Sequence, residues 1–97
     1  MPNWDQAAWE RKQDAPTTHT LKTLPEYWDA VERGEKTFEV RRDDRGFAVG
    51  DKIELYRYEG QENWQYGEFL EFRITYILPG SQFGIEPGYC VMGLGPV

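Results

Sequence analysis

Gly34-Glu35-Lys36-Thr37-Phe38-Glu39-Val40-Arg41-Arg42-Asp43-Asp44-Arg45 is the stretch at which the chain changes from helix to strand. Gly34 tolerates the positive φ that ends a helix, and the residues after it read directly as a strand over Lys36–Arg41. Successive strand side chains point to opposite sides. Thr37, Glu39 and Arg41 therefore share one face, and Lys36, Phe38, Val40 and Arg42 share the other. Polar groups at consecutive same-face positions need partners or a ligand if buried, because dry burial of unpaired polar groups costs stability. On an exposed face, Glu39 and Arg41 would instead pair with each other or with neighbours in water.

Upstream, residues 18–24 read as a strand rich in Thr. Pro25 suits the first position of a helix, where its missing N–H costs nothing. Tyr27, Trp28 and Val31 recur at helical spacing, which predicts that all three pack into the core. Downstream, residues 47–51 read as a tight turn in which Asp51 holds a backbone N–H. Residues 52–59 form the next strand, with Ile53 and Leu55 on one face and Tyr56 and Tyr58 on the other. Residues 64–78 are long for one strand, and Gly67 is the expected place for a turn or bulge. Beyond it, Leu70, Phe72, Ile74, Tyr76 and Leu78 alternate with Glu71, Arg73, Thr75 and Ile77. Pro79-Gly80 breaks that pattern, and residues 89–94 close the domain as a final strand. A strand, one main helix, then several strands predicts an α+β fold: a small, mostly antiparallel sheet that curls toward a β-barrel.

Residues 1–17 read as an N-terminal extension and residues 18–97 as the domain. Asn3 is placed to cap a short helix carrying Trp4, Ala8 and Trp9. Two tryptophans outside the main domain dock either onto it or onto another chain, so this segment is the candidate handle for a protein partner.

The chain has 97 residues, enough for one domain with an adequate core. Aromatics are 15% of it, so the core rests on a few large side chains. Cys90 is the single cysteine, which excludes an internal disulfide and a cysteine-based zinc site. One His and no cysteine cluster leave no persuasive metal site, and no cofactor is expected. No segment has the length of a membrane span and no signal peptide is recognisable, so a cytoplasmic location is expected. The net charge of −6 argues against wrapping long duplex nucleic acid. Lys36, Arg41, Arg42 and Arg45 nonetheless crowd into ten positions. A small basic site on an acidic body suits a compact anionic ligand, such as one nucleotide or a short single strand.

His19-Thr20-Leu21-Lys22, Leu24-Pro25-Glu26-Tyr27-Trp28, the stretch from Gly34 to Arg41, Asp44-Arg45-Gly46-Phe47 and Val49-Gly50-Asp51 together resemble the DUF3850 family. Ile74-Thr75-Tyr76-Ile77-Leu78 and Gly88-Tyr89 extend the resemblance over roughly residues 18–95. That family comprises bacterial and phage domains of the ASCH type, within the PUA-like superfamily. The resemblance implies a PUA-like β-barrel with a helix after its first strand. Similar domains bind RNA or modified bases, some act as ribonucleases, and one group hydrolyses N4-acylated cytidine. Lys36 matches the lysine of that amidohydrolase group, whereas Glu39 stands where the group has threonine. Asp43 replaces the family's usual asparagine, and Gln65-Tyr66-Gly67-Glu68 replaces a Tyr-Thr-Gly-Arg-like element.

These residues define the candidate site. His19, the lone histidine, is a candidate proton shuttle. It lies at opposite parity to Lys22 on the first strand. The Glu39 carboxylate is suited to an exocyclic amine and the Arg41 fork to a phosphate or carbonyl. Lys36 sits at the strand entrance, where a dry, cationic pocket would make it a base or nucleophile. Asp44 and Arg45 read as a mutual pair. Tyr56, Tyr58, Trp64 and Tyr66 are the candidate stacking surfaces. The leading expectation is an RNA- or nucleotide-binding module whose cleft is framed by His19, Lys22, Lys36, Glu39, Arg41 and Arg45. The alternatives are a hydrolase of modified nucleosides, with Lys36 and Glu39 catalytic, and a phage-type protein-interaction module.

Overall fold

In the computed structural model, which describes residues 16–97, strand β1 (Thr18–Thr23) leads through Leu24 into helix α1 (Pro25–Glu32). Strands β2 (Phe38–Arg42), β3 (Lys52–Arg57), β4 (Phe69–Pro79) and β5 (Tyr89–Gly95) follow, with a 3₁₀ turn at Trp64–Tyr66. The strands form one sheet in the order β1-β3-β4-β5-β2. β1 pairs with β3 in parallel, and the other three pairings are antiparallel. The sheet curls into a half-barrel with β1 and β2 as its two edges.

Local chemistry explains the boundaries. Pro25 opens α1 without loss of a hydrogen bond. Gly34, at φ +79°, closes it. The Gly34 N–H donates to Val31 O and the Glu35 N–H to Ala30 O, the paired bonds of a Schellman motif. Trp28 and Val31 face the sheet, and the Trp28 indole N–H donates to Leu55 O at 2.8 Å. Tyr27 does not join them: at 46% exposure it faces outward from the helix, correcting the core assignment. An eight-residue helix on a curled sheet covers its partner with a narrow stripe, and Tyr27 falls outside it.

Leu21, Trp28, Val31, Ile53, Leu55, Ile74, Cys90 and Met92 make the core. Burial, followed by the nearby Asp43 carboxylate, pushes the Cys90 thiol pKa up, so Cys90 behaves as a small hydrophobe. At the mouth of the β3 turn, Asp51 is fully buried. Its carboxylate accepts from the Thr17 and Ala48 N–H groups.

The β4 bulge is at Thr75, and Gly67 takes the turn of the two alternatives expected there. The β4–β5 register slips between Ile74 and Tyr76. A single slip reverses strand parity, so Ile77 turns toward the core while Tyr76 is exposed. Two glycines of β5 make the space for Thr75. A Cβ on Gly93 would stand 2.7 Å from Thr75 Oγ1, and one on Gly95 would stand 2.5 Å from its Cγ2. Gly67 instead ends the 3₁₀ turn ahead of β4.

Candidate functional site

β2 presents its charged face to the inside of the half-barrel. Glu39 is 3% exposed, whereas Phe38 and Val40 are each about half exposed on the outer face. This inverts the usual apolar-in pattern. β2 is the last strand of the curl, and its inner face looks across the open side at β1 and α1 rather than onto the core.

Burial of the carboxylate is matched by two cations. The Lys36 ammonium donates to Glu39 Oε1 at 2.5 Å and to Phe38 O at 2.7 Å. Arg41 Nε donates to Glu39 Oε2 at 2.9 Å. Lys36 reaches inward despite its parity because it precedes the strand: its N–H donates to Ala30 O, which keeps the backbone beside the helix end. Arg41 then spans the open side. Its Nη2 donates to Lys22 O at 2.9 Å and to Thr23 Oγ1 at 3.2 Å. The half-barrel is therefore closed here by a guanidinium rather than by a backbone ladder.

These groups line a cleft of about 210 Å³, together with Leu24, Tyr27 and Val40. The Lys36 ammonium lies 5.8 Å from the centre of the Tyr27 ring. Both Glu39 oxygens are engaged, so Glu39 orients the cations more than it offers an acceptor. Arg41 Nη1 has no hydrogen-bond partner among the described residues, and one Lys36 proton is likewise left over.

Of the six residues expected to frame the cleft, Lys22, Lys36, Glu39 and Arg41 line it. The Lys22 backbone carbonyl accepts from Arg41, while the Lys22 ammonium lies over the Tyr58 ring at 4.7 Å and the Trp64 ring at 5.4 Å. Arg45 lines a second hollow of about 150 Å³ with Leu21, Arg41, Arg42, Asp44 and Phe47. Arg45 Nη1 donates to Thr20 O at 3.0 Å, and its Nε is 4.0 Å from Asp44 Oδ1. His19 lines neither space. Its Nε2 is 2.9 Å from Asp51 Oδ2, its ring packs edge-on against Phe47, and it is buried.

The four candidate stacking aromatics also lie elsewhere. Tyr56 is buried, stacked on Phe69 and edge-on to Trp64. Burial, then its hydrogen bond to Glu54, pushes the Tyr56 phenol pKa up. Sequence reasoning missed Tyr27, Thr23 and Arg42 as lining residues. Thr23 was accessible to it, since Thr23 shares strand parity with buried His19 and Leu21. Tyr27 was masked by helical spacing that fits the core equally well.

Among the described residues no group of three or more His, Cys, Asp or Glu side chains could hold a metal ion, and no helix is long and apolar enough to cross a membrane. The candidate helix around Trp4 and Trp9 lies outside the described residues. No curated protein matches the chain. Residues 18–94 match the model of a domain of unknown function, DUF3850, and since that match spans most of the chain, the chain belongs to the DUF3850 family.

Proposed function

We propose that this domain binds RNA or a nucleotide-like ligand in the cleft between β1 and β2, on an ASCH-type, PUA-like scaffold. The observation that carries the reading is the Lys36–Glu39–Arg41 cluster: two cations about one buried carboxylate, with donors left over on both. Such a cluster offers one net positive charge inside a cleft of an otherwise acidic chain. The two N–H groups of Arg41 Nη1 suit a phosphate or a base carbonyl, and Tyr27 supplies an aromatic ring beside them. The space is below the roughly 300–1,000 Å³ of sites for drug-sized ligands, so it takes one nucleotide unit rather than a long strand.

Titration of the intrinsic tryptophan fluorescence with mononucleotides, modified cytidines and short RNAs tests this. A saturable response, weakened about tenfold or more by Lys36→Met, is expected. No response to any of these ligands overturns the reading.

A second reading, hydrolysis of a modified nucleoside such as an N4-acylcytidine, is favoured by one contact. Lys36 Nζ and Glu39 Oε1 are 2.5 Å apart, a distance that permits proton transfer. The burial of Glu39 weighs against it, since the carboxylate has little surface to offer a substrate. Turnover of N4-acetylcytidine that disappears in both Lys36→Ala and Glu39→Gln would establish this reading; binding without turnover excludes it. A third reading, a protein-interaction module, rests on the segment holding Trp4 and Trp9. Unchanged partner capture after deletion of residues 1–16 would remove it.

A further inference from the structure

We propose that the ligand is phosphorylated, and that its phosphate, as a monoester or as the diester of an RNA, occupies the second hollow beside Arg41, Arg42 and Arg45. This rests on the nucleotide-binding reading of the first cleft and deepens it by giving the phosphate a place of its own.

The hollow is built by the open edge of β1. Parallel pairing turns Thr17 O and Thr23 O toward β3, where they accept from the Lys52 and Tyr58 N–H groups. Thr20 O and Lys22 O point the other way, toward β2. Arg45 caps the first and Arg41 the second, each with one guanidinium nitrogen. The two acceptors are two strand residues apart, so about 6.6 Å separates the anchors. Both guanidinium groups are thus fixed beside one small space, and each keeps N–H groups that its anchor does not use.

The charge in this hollow is not balanced. Arg41, Arg42 and Arg45 line it with the Asp44 carboxylate; Arg41 is paired with Glu39 from the first cleft, which leaves Arg42 and Arg45 against Asp44. The Arg45–Asp44 separation of 4.0 Å is beyond hydrogen-bond range. Among the described residues Arg42 makes one side-chain hydrogen bond, 3.3 Å from Nη2 to the Tyr89 hydroxyl, and its guanidinium lies over that ring. Leu21 and Phe47 complete the lining with apolar surface, which weakens screening of the charges above it. Like charges held close are costly without a counter-anion. A phosphate fits the sign, the fork geometry and the volume of about 150 Å³.

Arg41 is common to both spaces. A nucleotide whose base and sugar occupy the first cleft therefore has its phosphate one side chain away from the second. An acidic peptide would meet the same cations, but it would leave the cleft beside Tyr27 unused.

The test compares cytidine, its 5′- and 3′-monophosphates, a dinucleoside monophosphate and inorganic phosphate on the full chain, by calorimetry at low salt. The monophosphates or the dinucleotide should bind about tenfold or more tightly than cytidine. Preference for a monophosphate marks a free nucleotide, and preference for the dinucleotide marks an RNA. Arg45→Gln and, separately, Arg42→Gln should erase most of that advantage while leaving cytidine affinity unchanged. Both side chains are exposed, so each variant is expected to keep the native circular dichroism. Equal binding of cytidine and its phosphates, or a phosphate advantage that survives both substitutions, overturns this inference and leaves the cleft reading standing. No binding of any compound overturns both.

Discussion

Arg41 and Lys22 are joined across the open side of the half-barrel, with Arg41 Nη2 donating to Lys22 O at 2.9 Å. The same guanidinium is held at its other end by Glu39, so one side chain both spans the edge strands and borders the cleft. Position and chemistry are coupled here: whatever disturbs Glu39 moves the cations that face a ligand.

Glu39→Gln is therefore expected to destabilise the fold. It leaves Lys36 and Arg41 as like charges around a neutral amide, and the loss should be about 1–3 kcal/mol. Adding Lys36→Met should return part of it by removing one of the two cations. A double-mutant cycle in urea measures this, and a coupling energy near zero would mean that the three groups do not act together.

The bulge at Thr75 sets a paired prediction. Gly95→Ala drives a methyl group against Thr75 Cγ2 and should cost about 1–3 kcal/mol. Thr75→Ser deletes that methyl and should recover most of the loss in the double variant. Thermal melts of the four proteins check it; equal penalties with and without Thr75→Ser would place the strain elsewhere.

Stability should fall in acid partly through Asp29. Its hydrogen bonds from Arg57 hold the Asp29 carboxyl below the usual aspartate range. A depressed folded-state pKa gives stability that is present above the unfolded value and lost as pH falls through the folded one. Arg57→Ala should therefore be less stable than the parent at neutral pH, with the gap closing as Asp29 protonates in acid. Urea melts at a series of pH values from neutral downward measure the gap, and a constant difference would contradict the assignment.

Phe83 sits at φ +53° and Gly84 at φ +77°, in a turn closed by the Ile85 N–H on Gln82 O at 2.9 Å. Positive φ at both central positions is the type I′ pattern, which Asn accepts and Phe resists. The Phe83 ring is 84% exposed, so it gains little packing in return. Phe83→Asn should stabilise the protein by about 1 kcal/mol, read as a higher midpoint in urea. A lower midpoint would show that the ring makes contacts that matter to the fold.

Much of the fold could be read locally. Pro25 and Gly34 bracket α1 because their backbone constraints act within a turn. Alternation put Glu39 and Arg41 on one face, and opposite parity separated buried His19 from exposed Lys22. Of the turn or bulge expected at Gly67 the structure has the turn; the bulge at Thr75 had no local signal, because the space that admits it is supplied by Gly93 and Gly95 on another strand. The site was legible only in part: Arg41 and Lys36 stood out by charge, but Tyr27 and Arg42 entered it through the geometry of the curl.

The amino-acid sequence alone determined where helix gives way to strand and which side chains share a strand face, because both depend on neighbours a few residues away. Tertiary structure decided which face turned inward, that β1 ends beside β2, and that Arg41 and Arg45 find free carbonyls there. Those outcomes depend on which strands pair and how far the sheet curls, and the partners lie eighteen or more positions apart in the chain. No local periodicity carries that information; it appears only when edge strands that cannot pair with each other are brought side by side.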